Sequence, residues 1–194
     1  MKIESIITLG IIFLMSSCGP KEKSPVQKAS FGIYETIKIK DIPGSELAVL
    51  KKSGIRFVEN TNLPIVGYIS DNDSVTLPES PVKVLMAAHP SAGEENSFAI
   101  FAVKESPAID NSDIQKTKNS GNQVEIHFNM IGAKKWAELT KTNTGNMVAF
   151  VINGQVYASP MIIAEIKSGV AVIAGLTGET EARNISEELN AGRE

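Results

Sequence analysis

The sequence predicts an α+β fold: a mostly antiparallel sheet with two helices on one face, preceded by a smaller strand-rich α+β region. Three observations predict it. The stretch "QVEIHF" alternates strictly, with Val124, Ile126 and Phe128 on one side and Glu125 and His127 on the other, which is the period of a half-buried strand. Two later segments carry stripes at helical spacing, Ala133, Trp136, Ala137 and Thr140 in one and Ala182, Ile185 and Leu189 in the other. Between them, Asn153-Gly154 separates two apolar runs, and that dipeptide favours a two-residue turn in which both positions take positive φ. The order strand, helix, hairpin, strand, helix describes helices laid over an antiparallel sheet.

The chain has 194 residues, 42% apolar and 21% charged, with a formal charge of -3. That is room for one domain or two small ones with a real core. So mild a charge, with basic residues scattered, implies no nucleic-acid partner.

The N-terminus comes first. Residues 1 to 17 read as a charged start, the apolar run "IITLGIIFLM" and two serines, the layout of a secretory signal, and the run is too short to span a bilayer core. Cys18 is the only cysteine, so no intrachain disulfide is available. "LMSSC" resembles the lipobox of bacterial lipoproteins, with Met15 where leucine is usual, and this implies that Cys18 is lipidated and becomes the mature N-terminus, joined to the membrane through its lipid. Gly19 is not the aspartate that retains enteric lipoproteins in the inner membrane, so a periplasm-facing outer-membrane location is favoured. Residues 18 to 30 hold the polar "GPKEKSPVQKAS", a tether whose twelve residues after the cysteine reach at most about 40 Å.

Residues 31 to 90 offer "YETIKIK", "IRFVEN", "PIVGYIS", "SVTL" and "VKVLMAAH" as strands, punctuated by Gly, Pro, Asn and Asp. A short helix is expected over Ser45 to Lys52, capped by Ser45 and stopped at Gly54. Asp71-Asn72-Asp73 lacks the other ligand positions of a calcium loop and reads as a turn. A second region, residues 97 to 192, follows the loop "SAGEEN" and begins with the strand "SFAIFAVK". The stretch "ESPAIDNSDIQKTKNSGN" reads as turns, and its Asp110 and Asp113, like Glu94 and Glu95, as solvated loop carboxylates.

Asn129 is placed to cap the first long helix, with Trp136 as its core anchor and Gly145 past its end. "MVAFVI" is apolar on both faces and therefore central, "QVYAS" returns antiparallel, and Pro160 marks an edge, a bulge or the end of that strand. "MIIAEI" and "VAVIAG" are expected as a further strand pair around Lys167-Ser168-Gly169, and Thr177 as cap of the last helix.

From Asn129 to Gly192 the chain resembles the head subdomain of the first periplasmic domain of SecD, the accessory subunit of the bacterial protein-export translocase. The residues that carry the likeness are Asn129, Gly132 to Lys135, Thr140 and Gly145, then Ala158-Ser159-Pro160 with one residue inserted or shifted. Glu165, Ile166, Gly169, Ile173-Ala174-Gly175 and Ala191-Gly192 complete it. The likeness covers residues 123 to 192, extends more weakly back to Ser97, and implies a ferredoxin-like head. SecD continues into membrane helices that carry a proton-driven step; this sequence shows no later apolar run of that length, so no motor of its own is expected. The family head is thought to engage polypeptide leaving the translocation channel. The resemblance thus implies a cell-envelope binding module contacting unfolded polypeptide or an envelope or translocase protein. Tyr157, Pro160, Met161 and Ile163 are the candidate contact surface, an adaptable set of apolar side chains. The alternative is a structural or small-ligand-carrying lipoprotein without an export role.

No G-x-S-x-G, Cys-His pair, H-E-x-x-H or phosphate-cradling glycine loop is present, so neither an enzyme nor a cofactor is expected. His89 and His127 have no ligand partners at metal spacing, so no metal is expected, and His127 reads as an exposed strand residue.

Overall fold

The computed structural model describes residues 26–60, 62–70, 82–92 and 96–193. Cys18, the signal segment, the first part of the tether, Asp71 to Asp73, "SVTL", Glu94 and Glu95 lie outside the described residues.

The first region contains β1 (Phe31–Glu35), α1 (Gly44–Lys52), β2 (Arg56–Phe57), β3 (Ile65–Ser70) and β4 (Lys83–Met86). The rest adds β5 (Ser97–Val103), β6 (Ile109–Asp110), β7 (Ile114–Ser120), β8 (Gln123–Phe128), α2 (Met130–Thr142), β9 (Val148–Ile152), β10 (Gln155–Ala158), β11 (Val170–Ile173) and α3 (Glu179–Asn190). Short 3₁₀ turns at Ile39–Asp41 and Asn111–Asp113 complete the described elements.

The α+β class holds, but the strands divide among three antiparallel sheets instead of continuing one. They run β10-β9-β1-β6, β11-β8-β7 and β2-β3-β5-β4. The pairing interleaves the two regions read from the sequence: β1 lies against β9, with Ile33 opposite Phe150, while β5 lies between β3 and β4. Apolar alternation says which face a strand buries but not which strand it pairs with.

Three cores form layers. Val148, Phe150 and Ile152 of β9 face a core shared with Val124, Ile126 and Phe128 of β8, Trp136 and Leu139 of α2, and Ala182, Ile185 and Leu189 of α3. Ala149 and Val151 point the other way, into a second core with Leu85, Ala99, Phe101 and Val103. The far face of that neighbouring sheet, through Val66, Val84, Ile100 and Ala102, packs on Ile39, Ile42 and Leu50. Strand β9 is thus apolar throughout because it is sandwiched, as its sequence indicates.

Helix α2 starts as expected. Asn129 Oδ1 accepts from the amides of Ile131 and Gly132 at 3.0 and 2.9 Å, and the helix buries Trp136, Leu139 and Thr140 while Lys134, Glu138 and Lys141 face water. The indole N–H of Trp136 donates to the Val170 carbonyl at 3.1 Å, and Phe128 and Phe150 lie at ring-centroid distances of 5.9 and 6.0 Å. Asn153 and Gly154 take φ of 49° and 82°, the geometry that turn required.

Other expectations are corrected. Helix α1 begins at Gly44 after Pro43, with no side-chain cap from Ser45. Helix α3 begins after Gly178, and the Thr177 amide and hydroxyl donate instead to Glu181 Oε2, at 2.7 and 2.8 Å. "YETIKIK" leaves the strand at Glu35 and makes a 3₁₀ turn. "MIIAEI" is not a strand: Ile162 exchanges backbone hydrogen bonds with Gly145 and Asn146, the Ile166 amide donates to Thr140 Oγ1, and "VAVI" pairs with β8.

The stretch read as turns contains β6 and all of β7. Strand β7 hides from composition because only Ile114 and Thr117 of its seven residues are buried. Its Asp113 is no solvated carboxylate: it is 2% exposed and accepts from Lys135 Nζ at 2.9 Å and from the Asp110 amide at 3.1 Å.

Candidate functional site

The expected contact residues lie on and just beyond β10, and the fold gives them two different settings. In the β9–β10 ladder Val156 pairs with Val151 and Ala158 with Phe150, so Tyr157 is the extra residue of a β-bulge. A bulge re-aims the side chain it carries. Here it turns Tyr157 toward His89, the rings meeting edge-on at 5.4 Å and 87°.

His89 enters from the segment after β4, which joins β10 through a parallel bridge between Ala87 and Val156. Its Nε2 lies 2.7 Å from Glu181 Oε1 on the first turn of α3. Burial pushes the Glu181 carboxyl up, but the Thr177 amide and hydroxyl and His89 outweigh it and hold the carboxyl below its usual range. The Tyr157 phenol is pushed up by burial and then by the charges of Glu181 and Glu188. It therefore stays protonated and offers a ring face and a donor, not a base.

Tyr157 separates two hollows. One, of about 280 Å³, opens between the sheets at the mouth of the second core and is lined by Ile65, Tyr68, Ala99, Phe101, Val156 and Ala158, with His89 and Ser159 on its rim. The Ser159 Oγ is buried there without a hydrogen-bond partner. The other hollow, of about 480 Å³, is more polar and is lined by Asn153, Thr177, Thr180, Glu181, Asn184 and Glu188.

Pro160, Met161 and Ile163 line neither hollow. The Pro160 carbonyl accepts from the Val148 amide, Met161 bridges to Met147, and Ile162 is buried between its neighbours. Pinning Ile162 inward turns Met161 and Ile163 outward, 59% and 87% exposed. The structure thus joins Tyr157 to His89 and Glu181, and sets Met161 and Ile163 on a separate shelf.

The pairing of His89 with Glu181 escaped the sequence reading because 92 positions separate them and neither sits in a motif. His127 is not the exposed strand residue expected: its side chain is only a quarter exposed and lies 3.2 Å from Glu125, two residues away on the same strand face. Among the described residues no three His, Cys, Asp or Glu side chains gather closely enough to hold a metal ion. No helix among them is long and apolar enough to cross a membrane.

A family model for the SecDF P1 head subdomain matches residues 88–193, more than half of the chain. The SecDF protein translocase subunit of Thermus thermophilus is 43% identical over 70 residues, which is 36% of this chain and 10% of that protein. The SecD subunit of Sebaldella termitidis is 32% identical over 98 residues, 50% of this chain and 24% of that protein. The match thus spans a quarter or less of the length of these relatives. A solved structure of a membrane component SecDF that enhances protein export aligns with a TM-score of 0.49 at 21% identity, covering 86% of this chain and 64% of that one.

Proposed function

The chain belongs to the SecDF P1 head subdomain family, and from that membership together with the lipobox-like "LMSSC" we propose that it is a lipid-anchored binding module of the cell envelope. In this reading Cys18 carries the lipid and holds the protein at the outer membrane, facing the periplasm. The module contacts exported polypeptide, or an envelope partner that handles it. The contact surface is Tyr157 with the hollow beside it, together with the separate shelf formed by Pro160, Met161 and Ile163.

One observation carries the reading: the open, aromatic-lined hollow at Tyr157, with a buried Ser159 hydroxyl that has no partner in the protein. A space of about 280 Å³ accepts one or two side chains, which is small for a dedicated small-molecule pocket. Apolar walls with few polar groups hold side chains with little regard to sequence, as a contact to unfolded polypeptide requires. This hollow is small and open, and the larger one is open and more polar than apolar, which weighs against the alternative, a carrier of small ligands.

The test is site-specific photo-crosslinking in intact cells, with the reactive group at position 157, 161 or 163 and, as control, at the exposed Lys141 of α2. Adducts with exported polypeptides or export components are expected at the first three positions. Equal yields at Lys141 would reject the proposed surface. Loss of adducts in the Cys18→Ala chain would show that anchoring is needed to reach the partner.

A further inference from the structure

We propose that the N-terminal turn of α2 is a membrane-contact tip, at which Met130 and Ile131 enter an anionic phospholipid surface and Lys134 and Lys28 meet its headgroups. The inference goes beyond the polypeptide-contact surface and rests on the anchor reading only for how the chain reaches the bilayer.

Met130 and Ile131 contribute little to the fold. They are 76% and 64% exposed, at the start of a helix that buries Trp136, Leu139 and Thr140 on its other side. Side by side in water, they form a small apolar patch that the core does not use. Lys134 is exposed and follows them by four and three positions, so it shares their helix face. Lys135 lies beside it, but its charge is already matched by Asp113.

The tether leaves the folded body beside this tip, at the end of the body nearest the anchor. Asn111 donates through Nδ2 to the Ala29 carbonyl at 2.9 Å and accepts from the Phe31 amide at 2.7 Å. The Ala29 amide donates to the Glu188 carbonyl, and the Ser30 amide to Asn153 Oδ1, so the chain is clamped as it enters the core. The turn containing Asn111 is joined directly to the start of α2: Asn129 Nδ2 donates to the Ser112 carbonyl at 2.7 Å, and the Asn129 amide to the Asp113 carbonyl at 2.8 Å. The tether exit and the Met130–Ile131 tip are therefore neighbours.

Chemistry at that end suits an anionic surface. Val26, next to the exit, is 47% exposed, and Lys28 is exposed. From Gly19 to Lys28 the sequence has three lysines against one glutamate. Of the nearby carboxylates, Asp113 is paired with Lys135, Asp110 accepts from the Ser112 amide and hydroxyl, and Glu188, beside Ala29, lines the polar hollow. Apolar side chains that insert beside lysines that meet anionic headgroups are how a peripheral element holds to a bilayer. A tether reaching at most about 40 Å keeps the tip within range.

The experiment uses the full chain with Ile131→Cys or Lys141→Cys labelled by an environment-sensitive nitrobenzoxadiazole, with the parent chain, whose only thiol is Cys18, as the labelling blank. Position 141 lies at the far end of the helix, roughly 15 Å away. Protein is floated with phosphatidylcholine vesicles that contain or lack phosphatidylglycerol. A blue shift and a gain of at least about threefold is expected at position 131 with anionic vesicles, with little change at 141, and Lys134→Glu should reduce it. Floated protein whose two labels respond alike, or whose label at 131 gains equally on neutral lipid, would overturn the proposal. Failure of the anchor reading looks different: the Cys18→Ser chain would float as well as the parent on vesicles of phosphatidylcholine alone.

Discussion

Replacing Trp136 with phenylalanine tests the central packing claim most directly. The side chain is 2% exposed and packs against both Phe128 of β8 and Phe150 of the central strand β9. The change removes the donor that satisfies the Val170 carbonyl, a loss of about 1 kcal/mol where water can replace it. It also removes about three buried heavy atoms, worth about 2 kcal/mol at ~0.8 kcal/mol for each methylene equivalent. The expected destabilisation is therefore about 3 kcal/mol, and Trp136→Ala should cost about 3–5 kcal/mol. Urea unfolding followed by far-UV circular dichroism measures both, with the slope unchanged if the end states are the same. Since Trp136 is the only tryptophan, wild-type fluorescence should be blue-shifted and should shift red on unfolding. A loss below about 1 kcal/mol for the phenylalanine variant, or native emission typical of hydrated indole, would refute the reasoning.

Gly132→Ala should destabilise by about 1–3 kcal/mol or more, because a Cβ there would collide with the Asp113 carbonyl and lie 2.8 Å from the Asp113 Cβ; thermal melts compare it with Ala133→Gly in the same turn. Asn190 accepts from the Thr117 amide at 2.8 Å and donates to its carbonyl at 3.0 Å, standing in for a neighbouring strand at the β7 edge. Asn190→Ala should cost about 2 kcal/mol and promote self-association, read by light scattering. Glu181 has a folded pKa below its ordinary 4.5, so its contribution should be complete above that value and lost as pH falls through the lower folded value. The difference in melting temperature between wild type and Glu181→Gln should shrink across that acidic window; a constant difference would contradict the linkage.

Local rules made much of the molecule legible. Asn129 caps α2 because its side chain reaches the first helical amides, and Asn153-Gly154 turns because both residues tolerate positive φ. The stripe of Ala182, Ile185 and Leu189 faces the core because helical spacing leaves it no other common face. The collinear run from Asn129 to Gly192 also pointed to the right family.

Where local signals were weak or misleading, long-range contacts prevailed. Strand β7 has a polar edge sequence and is held by β8 and by Thr117, Ser186 and Asn190 across about seventy positions. "MIIAEI" has ample strand propensity, but its backbone partners are the end of α2 and the loop that follows it.

The sequence by itself determined the α+β class, the helix stripes, the central hairpin and the family, since these depend on residues within a few positions of one another. Only the tertiary structure decided the partition into three sheets, the exchange of β1 and β5 across the two regions, the meeting of Tyr157, His89 and Glu181, and the neighbourhood of the tether exit and the α2 tip. The physical reason is that periodicity fixes which side of an element is buried, whereas the partner that buries it is chosen by packing the whole chain at once.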